Sequence, residues 1–172
     1  MKQLNKLLFI IGCVISCTVQ AMEKPSAAVA PDGDTTRGVI GYYYNDPAGG
    51  AHFTTLVFSR VDANFSFNWG NNSPDSRITN DNFSVRWKGL FRPPVTGTYT
   101  FNSNADDGFK FIIKDWANRE ADPGKVVINN GNGCCADFSG TVELVGGRLY
   151  PVEIEYFEGG GGANIMYFKW TA

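Results

Sequence analysis

Histidine is almost missing from this chain. His52 is the sole imidazole among 172 residues, which excludes a multi-histidine metal centre and any chemistry that needs paired imidazoles. Long apolar runs are missing as well. The run Leu7 to Ile15 falls well short of the roughly 20 residues that a membrane-spanning helix needs. Positive charge is not in excess: 15 basic residues face 17 acidic ones, for a formal charge of -2. A domain that grips nucleic-acid phosphates carries the opposite balance. Catalytic signatures are also absent. The chain contains no G-x-S-x-G, H-E-x-x-H, C-x-x-C or P-loop pattern, so the common nucleophile, zinc and phosphate chemistries have no sequence support. The spacing of the acidic residues singles out no glycosidase pair.

What is present points to a folded all-β domain. Hydrophobic residues make up 43% and charged residues 19%, enough apolar material for one buried core. The 20 glycines and 8 prolines favour turns over long helices. Short stretches alternate apolar and polar residues with a period of two: Asn64 to Trp69, Phe83 to Lys88, Thr98 to Phe101, Phe109 to Lys114, Val142 to Leu144 and Val152 to Tyr156. Val39 to Tyr44 and Ile165 to Trp170 are apolar and aromatic and complete the set. Period-two alternation buries one face and wets the other. Many such strands between Gly, Pro, Asn and Asp clusters predict an antiparallel β-sandwich, jelly-roll-like, with long loops.

The N-terminus reads as an export signal. Lys2 and Lys6 precede the apolar run, and small residues follow it, the pattern of a secretory peptide. Two processing routes stand side by side. Cleavage after Ala21 yields a secreted or cell-envelope protein. Alternatively Val14-Ile15-Ser16-Cys17 resembles a lipobox, making Cys17 the lipid anchor of an outer-membrane lipoprotein and the one route to a membrane. The expected organisation is a signal peptide over 1–21, a flexible tether rich in Pro, Ala, Gly and Thr over 22–37, and the sandwich over 38–172. Loss of Lys2 and Lys6 leaves 13 basic residues against 17 acidic, or -4. Of four cysteines, Cys13 leaves with the signal and Cys17 leaves or is acylated. The folded part keeps Cys134 and Cys135, which are adjacent. Export permits a disulfide. Adjacent Cα atoms, however, lie about 3.8 Å apart, below the usual range of roughly 4.4–6.8 Å. The pair is read as a vicinal disulfide that stiffens a loop, as two thiols, or as bridges to another chain.

Several blocks carry a family resemblance. They are Gly41-Tyr42-Tyr43, Phe65 to Gly70, Asp81 to Gly89, Pro93 to Phe101, Asp106-Asp107-Gly108, Leu149 to Tyr156 and Trp170. In this order and spacing, Gly38 to Trp170 resembles the protective-antigen (PA-14) domain family, a lectin-like β-sandwich module of bacterial toxins, adhesins, glycosidases and yeast flocculins. The resemblance implies a non-catalytic module that recognises vicinal sugar hydroxyls through Ca²⁺. In the family's sugar-binding members, two consecutive aspartates joined by a cis peptide bind the ion. Carried over, these are Asp106 and Asp107. A second loop would add Glu158, where lectin members often have Asn, and the carbonyls of Gly160 and Gly162. Carboxylates with main-chain carbonyls suit a hard cation that takes about 6–8 oxygens. Phe157, Trp116 and the Cys134–Cys135 pair are the further candidates for contact with a sugar ring. The implied partner is a cell-surface or extracellular polysaccharide, with no nucleic acid. The alternative is a structural or protein-interaction domain of the cell envelope that binds no sugar.

Overall fold

The computed structural model describes residues 38–115, 124–131 and 133–172. The expected signal peptide and tether, and Trp116, lie outside the described residues. Ten strands follow one another along the chain: β1 Val39–Asn45, β2 Thr55–Asp62, β3 Phe67–Gly70, β4 Phe83–Phe91, β5 Gly97–Asp106, β6 Gly108–Ile113, β7 Lys125–Asn129, β8 Asp137–Leu144, β9 Tyr150–Glu158 and β10 Ala163–Thr171. They form a six-stranded sheet, β2-β1-β4-β9-β6-β7, and a four-stranded sheet, β3-β10-β5-β8. Every neighbouring pair is antiparallel. The chain is thus the all-β sandwich that its alternation predicts.

The alternation explains the packing. On β5, Tyr99, Phe101, Ser103 and Ala105 are buried while the residues between them are not. On β9, Tyr150, Val152, Ile154, Tyr156 and Glu158 point inward. The inner faces close over an aromatic core of Tyr43, Phe83, Trp87, Tyr99, Phe101, Phe109, Phe111 and Tyr156, all within 1% of full burial. Rings there meet edge-on or stacked, as with Phe67 and Trp87 at 5.6 Å, the arrangements that the ring quadrupole favours.

Two strands carry no clear signal in the sequence, β2 and β7. Both are edges of the six-stranded sheet. An edge strand has one hydrogen-bonded neighbour and keeps more of its surface in water, so the pressure for alternation is weak. Most of β2 is exposed or half-buried. Conversely, Asn64 to Ser66 alternate in sequence but lie before β3, which begins at Phe67. Phe65 is buried there from a loop, against Trp87 at 5.3 Å.

Asp62 is one of the polar groups built into the core. Asp62 Oδ2 accepts hydrogen bonds from the Tyr43 hydroxyl at 2.5 Å and Trp87 Nε1 at 2.7 Å. Its Oδ1 accepts from Arg60 Nε at 2.8 Å. Burial, and then the charge of Asp62, hold the Tyr43 phenol well above its usual range. Asp62→Ala would strand two buried donors and the arginine, and is expected to destabilise the domain by roughly 3–5 kcal/mol. Urea denaturation checks this. A loss under about 1 kcal/mol would mean that water replaces the carboxylate.

Candidate functional site

The site forms where the chain changes sheets. β5 belongs to the four-stranded sheet and β6 to the six-stranded one, so the step between them crosses the sandwich. Asp106 still pairs with Asn164 of β10, and Gly108 already pairs with Phe157 of β9. The crossing is made at Asp106–Asp107, whose peptide bond is cis. Gly159 to Gly162 make the reverse crossing from β9 to β10. Because those same strands are neighbours of β5 and β6, both crossings emerge together at one end of the sandwich.

Hydrogen bonds join the two crossings. The Gly159 N–H donates to Asp107 Oδ2 at 2.9 Å. The Tyr156 hydroxyl donates to the Asp106 carbonyl and lies 3.2 Å from Glu158 Oε2. Farther along the second loop, the Gly161 N–H donates to Asp81 Oδ1 at 3.2 Å. A third segment closes in from β7. Asn130, itself buried, accepts from the Phe109 N–H at 2.5 Å through Oδ1 and donates through Nδ2 to the Asp107 carbonyl at 3.0 Å.

The electrostatics are one-sided. Glu158 is 1% exposed, and its Oε1 is buried with no hydrogen-bond partner. Among the described residues, no lysine or arginine pairs with Asp106, Asp107 or Glu158. Burial and then the charge of Asp107 push the Glu158 carboxyl up to about 7. Burial and contact with Asp107 raise Asp106 as well. A carboxyl whose pKa is raised by folding holds its proton more tightly in the native state, so stability falls as pH rises from the unfolded value through the folded one. The metal-free protein is therefore expected to lose thermal stability between about pH 4.5 and 7 relative to a Glu158→Gln variant. Parallel melting curves across that window would refute the burial of an ionisable Glu158.

Such a cluster fits a hard divalent cation. Asp106, Asp107 and Glu158 interact electrostatically here without a protein cation, and carboxylate oxygens are the donors that Ca²⁺ takes. Among the described residues, though, the group with ligand atoms within 4.8 Å of one another is Asp106 with Cys134 and Cys135. Gly160 and Gly162 lie on the loop that Asp107 anchors, and an added Cβ at Gly162 would sit 3.9 Å from Asp106 Oδ2. Cys134 and Cys135 are bonded to each other. Their sulfurs and an Asp106 carboxylate oxygen all lie within 4.8 Å of one another, and the Cys135 N–H donates to the Ala105 carbonyl at 3.1 Å. Phe157 lies beside the site with both faces covered. One face rests on Gly108, where a Cβ would come within 1.7 Å of the ring. The other stacks on His52 at 4.0 Å and 18°.

Sequence reasoning treats His52 as a loop histidine and does not single out Asp46, Asp81 or Asn130. Asp81 opens a block that carries the family resemblance but is given no role there, and no sequence signal marks Asp46 or Asn130: each lies on a loop whose place at this end of the sandwich is set by strands far away in the chain.

A PA14 domain family model matches residues 35–172. The chain belongs to the PA14 domain family. Among curated proteins, the anti-sigma-I factor RsgI3 of Acetivibrio thermocellus is 31% identical over 130 residues, which is 72% of this chain and 17% of that protein. This PA14 chain therefore spans a minor part of that relative's length. Among solved structures, an anti-sigma factor domain-containing protein from Clostridium clariflavum is 30% identical with a TM-score of 0.67, over 78% of this chain and 42% of that one. Both of these relatives carry the name of anti-sigma factor proteins. The Epithelial Adhesin 6 A domain from Candida glabrata, solved in complex with Galβ1-3GlcNAc, has a TM-score of 0.58 at 20% identity, over 78% of this chain and 79% of that one. That likeness is one of fold.

Proposed function

We propose that this PA14 domain is an exported, non-catalytic module that binds glycans through Ca²⁺. Asp106, Asp107 and Glu158, with the carbonyls of Gly160 and Gly162, would hold the ion. When bound, it supplies a positive centre to which vicinal sugar hydroxyls can coordinate. The single observation that carries the reading is the uncompensated carboxylate cluster with the orphaned Glu158 oxygen. A depression of about 290 Å³ adjoins it, bordered by Asp46, His52, Asn82, Asp107, Glu158 and Gly159. The side chains there are rich in hydrogen-bonding groups, as a sugar requires. The Cys134–Cys135 disulfide and Trp116 are the further groups proposed to touch the sugar. With both faces covered, Phe157 offers an edge to it.

A glycan array probed with calcium-loaded protein, with and without EDTA, tests this reading. EDTA-sensitive binding of at least one glycan is the expected result. The greater sequence identity to anti-sigma factor proteins than to adhesins favours a second reading, a protein-interaction module of the cell envelope. Calcium binding by calorimetry with no glycan retained at all gives that second reading.

A further inference from the structure

A second depression, of about 220 Å³, lies next to the first on the outer face of the six-stranded sheet. The two share His52 and Phe157. Phe157 is fixed on Gly108, and the His52 ring lies flat on Phe157 as the outermost layer of that stack. The imidazole is positioned by that stack, and no hydrogen bond to it is made by the nearby Asp46 carboxylate. Its Nδ1 is 3.6 Å from Asp46 Oδ2, and Asp46 Oδ1 in turn accepts from the Thr54 backbone N–H at 3.0 Å and hydroxyl at 3.1 Å. The His52–Phe157 stack therefore stands between the two depressions.

The floor beyond the stack comes from paired strands. Lys110 of β6 stands opposite Glu155 of β9 and Asn129 of β7. Arg86 satisfies Glu155 Oε1 twice, at 2.6 and 3.0 Å. The other oxygen, Oε2, meets the Lys110 ammonium at 3.5 Å. A contact of that length is weak and engages at most one of the ammonium's three donors. Asn129 uses Oδ1 to accept from the Gly131 N–H at 3.0 Å, and its NH₂ group has no hydrogen-bond partner among the described residues. The depression thus presents the Lys110 ammonium, the Asn129 NH₂ group and the Oε2 side of Glu155 next to aromatic rings. A pyranose carries donor-acceptor hydroxyls around an apolar ring, and this is the complement it needs.

We propose that this depression is a second saccharide subsite, so that the protein recognises a glycan of at least two residues and not a single terminal sugar. One ring sits at the Asp106–Asp107 end, and the next passes over His52. Lys110, Asn129 and Glu155 hydrogen-bond its hydroxyls. This rests on the glycan-binding reading above, and it adds which residues read the second ring.

The test uses the calcium-loaded protein and an array of β-galactosides and β-glucosides of one to four residues, followed by calorimetry on the best-bound glycan and on its terminal monosaccharide. Two hydrogen bonds to the second ring predict a gain of about tenfold for the longer glycan. Lys110→Ala with Asn129→Ala is expected to remove that gain and leave monosaccharide affinity unchanged. Lys110 is partly exposed and Asn129 lies on an edge strand, so the double variant should fold; its melting curve checks this. Equal affinity for the two sugars, or an undiminished gain in the double variant, overturns the second subsite and leaves the first reading intact. No binding of any array member overturns both.

Discussion

Asp107→Ala is expected to weaken Ca²⁺ binding by about a hundredfold or more, measured by calorimetry on protein stripped of metal. The loss has two sources. On the proposed reading, removing the carboxylate takes away a direct ligand, and loss of even an outer-sphere partner typically costs about 10–100-fold in metal affinity. Removing Oδ2 also frees the Gly159 N–H, which it holds at 2.9 Å. That bond ties the glycine loop to the Asp-Asp crossing, so the alanine variant loses both a ligand and the register of the second loop. Asp107→Asn separates the two effects. It keeps an acceptor for Gly159 and discards the charge, so its affinity should fall by less than that of the alanine variant. Folding should survive both changes, because removing one of three crowded carboxylates relieves repulsion. Unchanged affinity in Asp107→Ala would place the cation elsewhere.

The second large effect is on stability. Gly108→Ala is expected to cost about 2–3 kcal/mol, near the upper end for overpacking a well-filled site. An added Cβ would lie 1.7 Å from Phe157 Cε1 and 2.0 Å from Cζ. The ring has nowhere to retreat, because His52 lies 4.0 Å away on its far side. Gly108 is buried and paired in register with Phe157, so the backbone is no freer to move. The strain would fall on the residue next to Asp107, and calcium affinity should drop along with the melting temperature. A Gly108→Ala, Phe157→Ala double variant distinguishes this steric account from a general intolerance of side chains. Residues in direct contact couple non-additively, so the second substitution should restore part of the stability that the first removes. A double variant whose losses simply add would sink the argument.

Much of the site's inner half was legible in the sequence. Asp106 and Asp107 are adjacent in the chain, and Glu158 to Gly162 are a short run, so a local motif marks each group. The structure brings these two groups together at one end of the sandwich. Its outer half was not legible. His52 belongs to the loop between β1 and β2, more than 100 residues before the ring on which it stacks. Asn130 is a loop asparagine like its neighbours until the β6–β7 pairing delivers it beneath the Asp107 carbonyl. Phe157 illustrates the limit from the other side. Its position beside an acidic loop makes it a candidate for contact with a sugar ring, and only the folded chain shows that it packs on Gly108 and stacks on His52.

The sequence by itself determined that this is an aromatic-cored, antiparallel all-β domain of the PA14 family. Those properties follow from the two-residue period and from local blocks whose order survives in the chain. The resemblance already implied that the two crossings share an end. Only the tertiary structure decided which strands are edges, and that no lysine or arginine among the described residues pairs with the carboxylates gathered there. Only it showed that the His52–Phe157 stack stands between two depressions. These are facts about which distant segments become neighbours, and neighbours across a sheet are set by register and strand order, which a period of two does not encode.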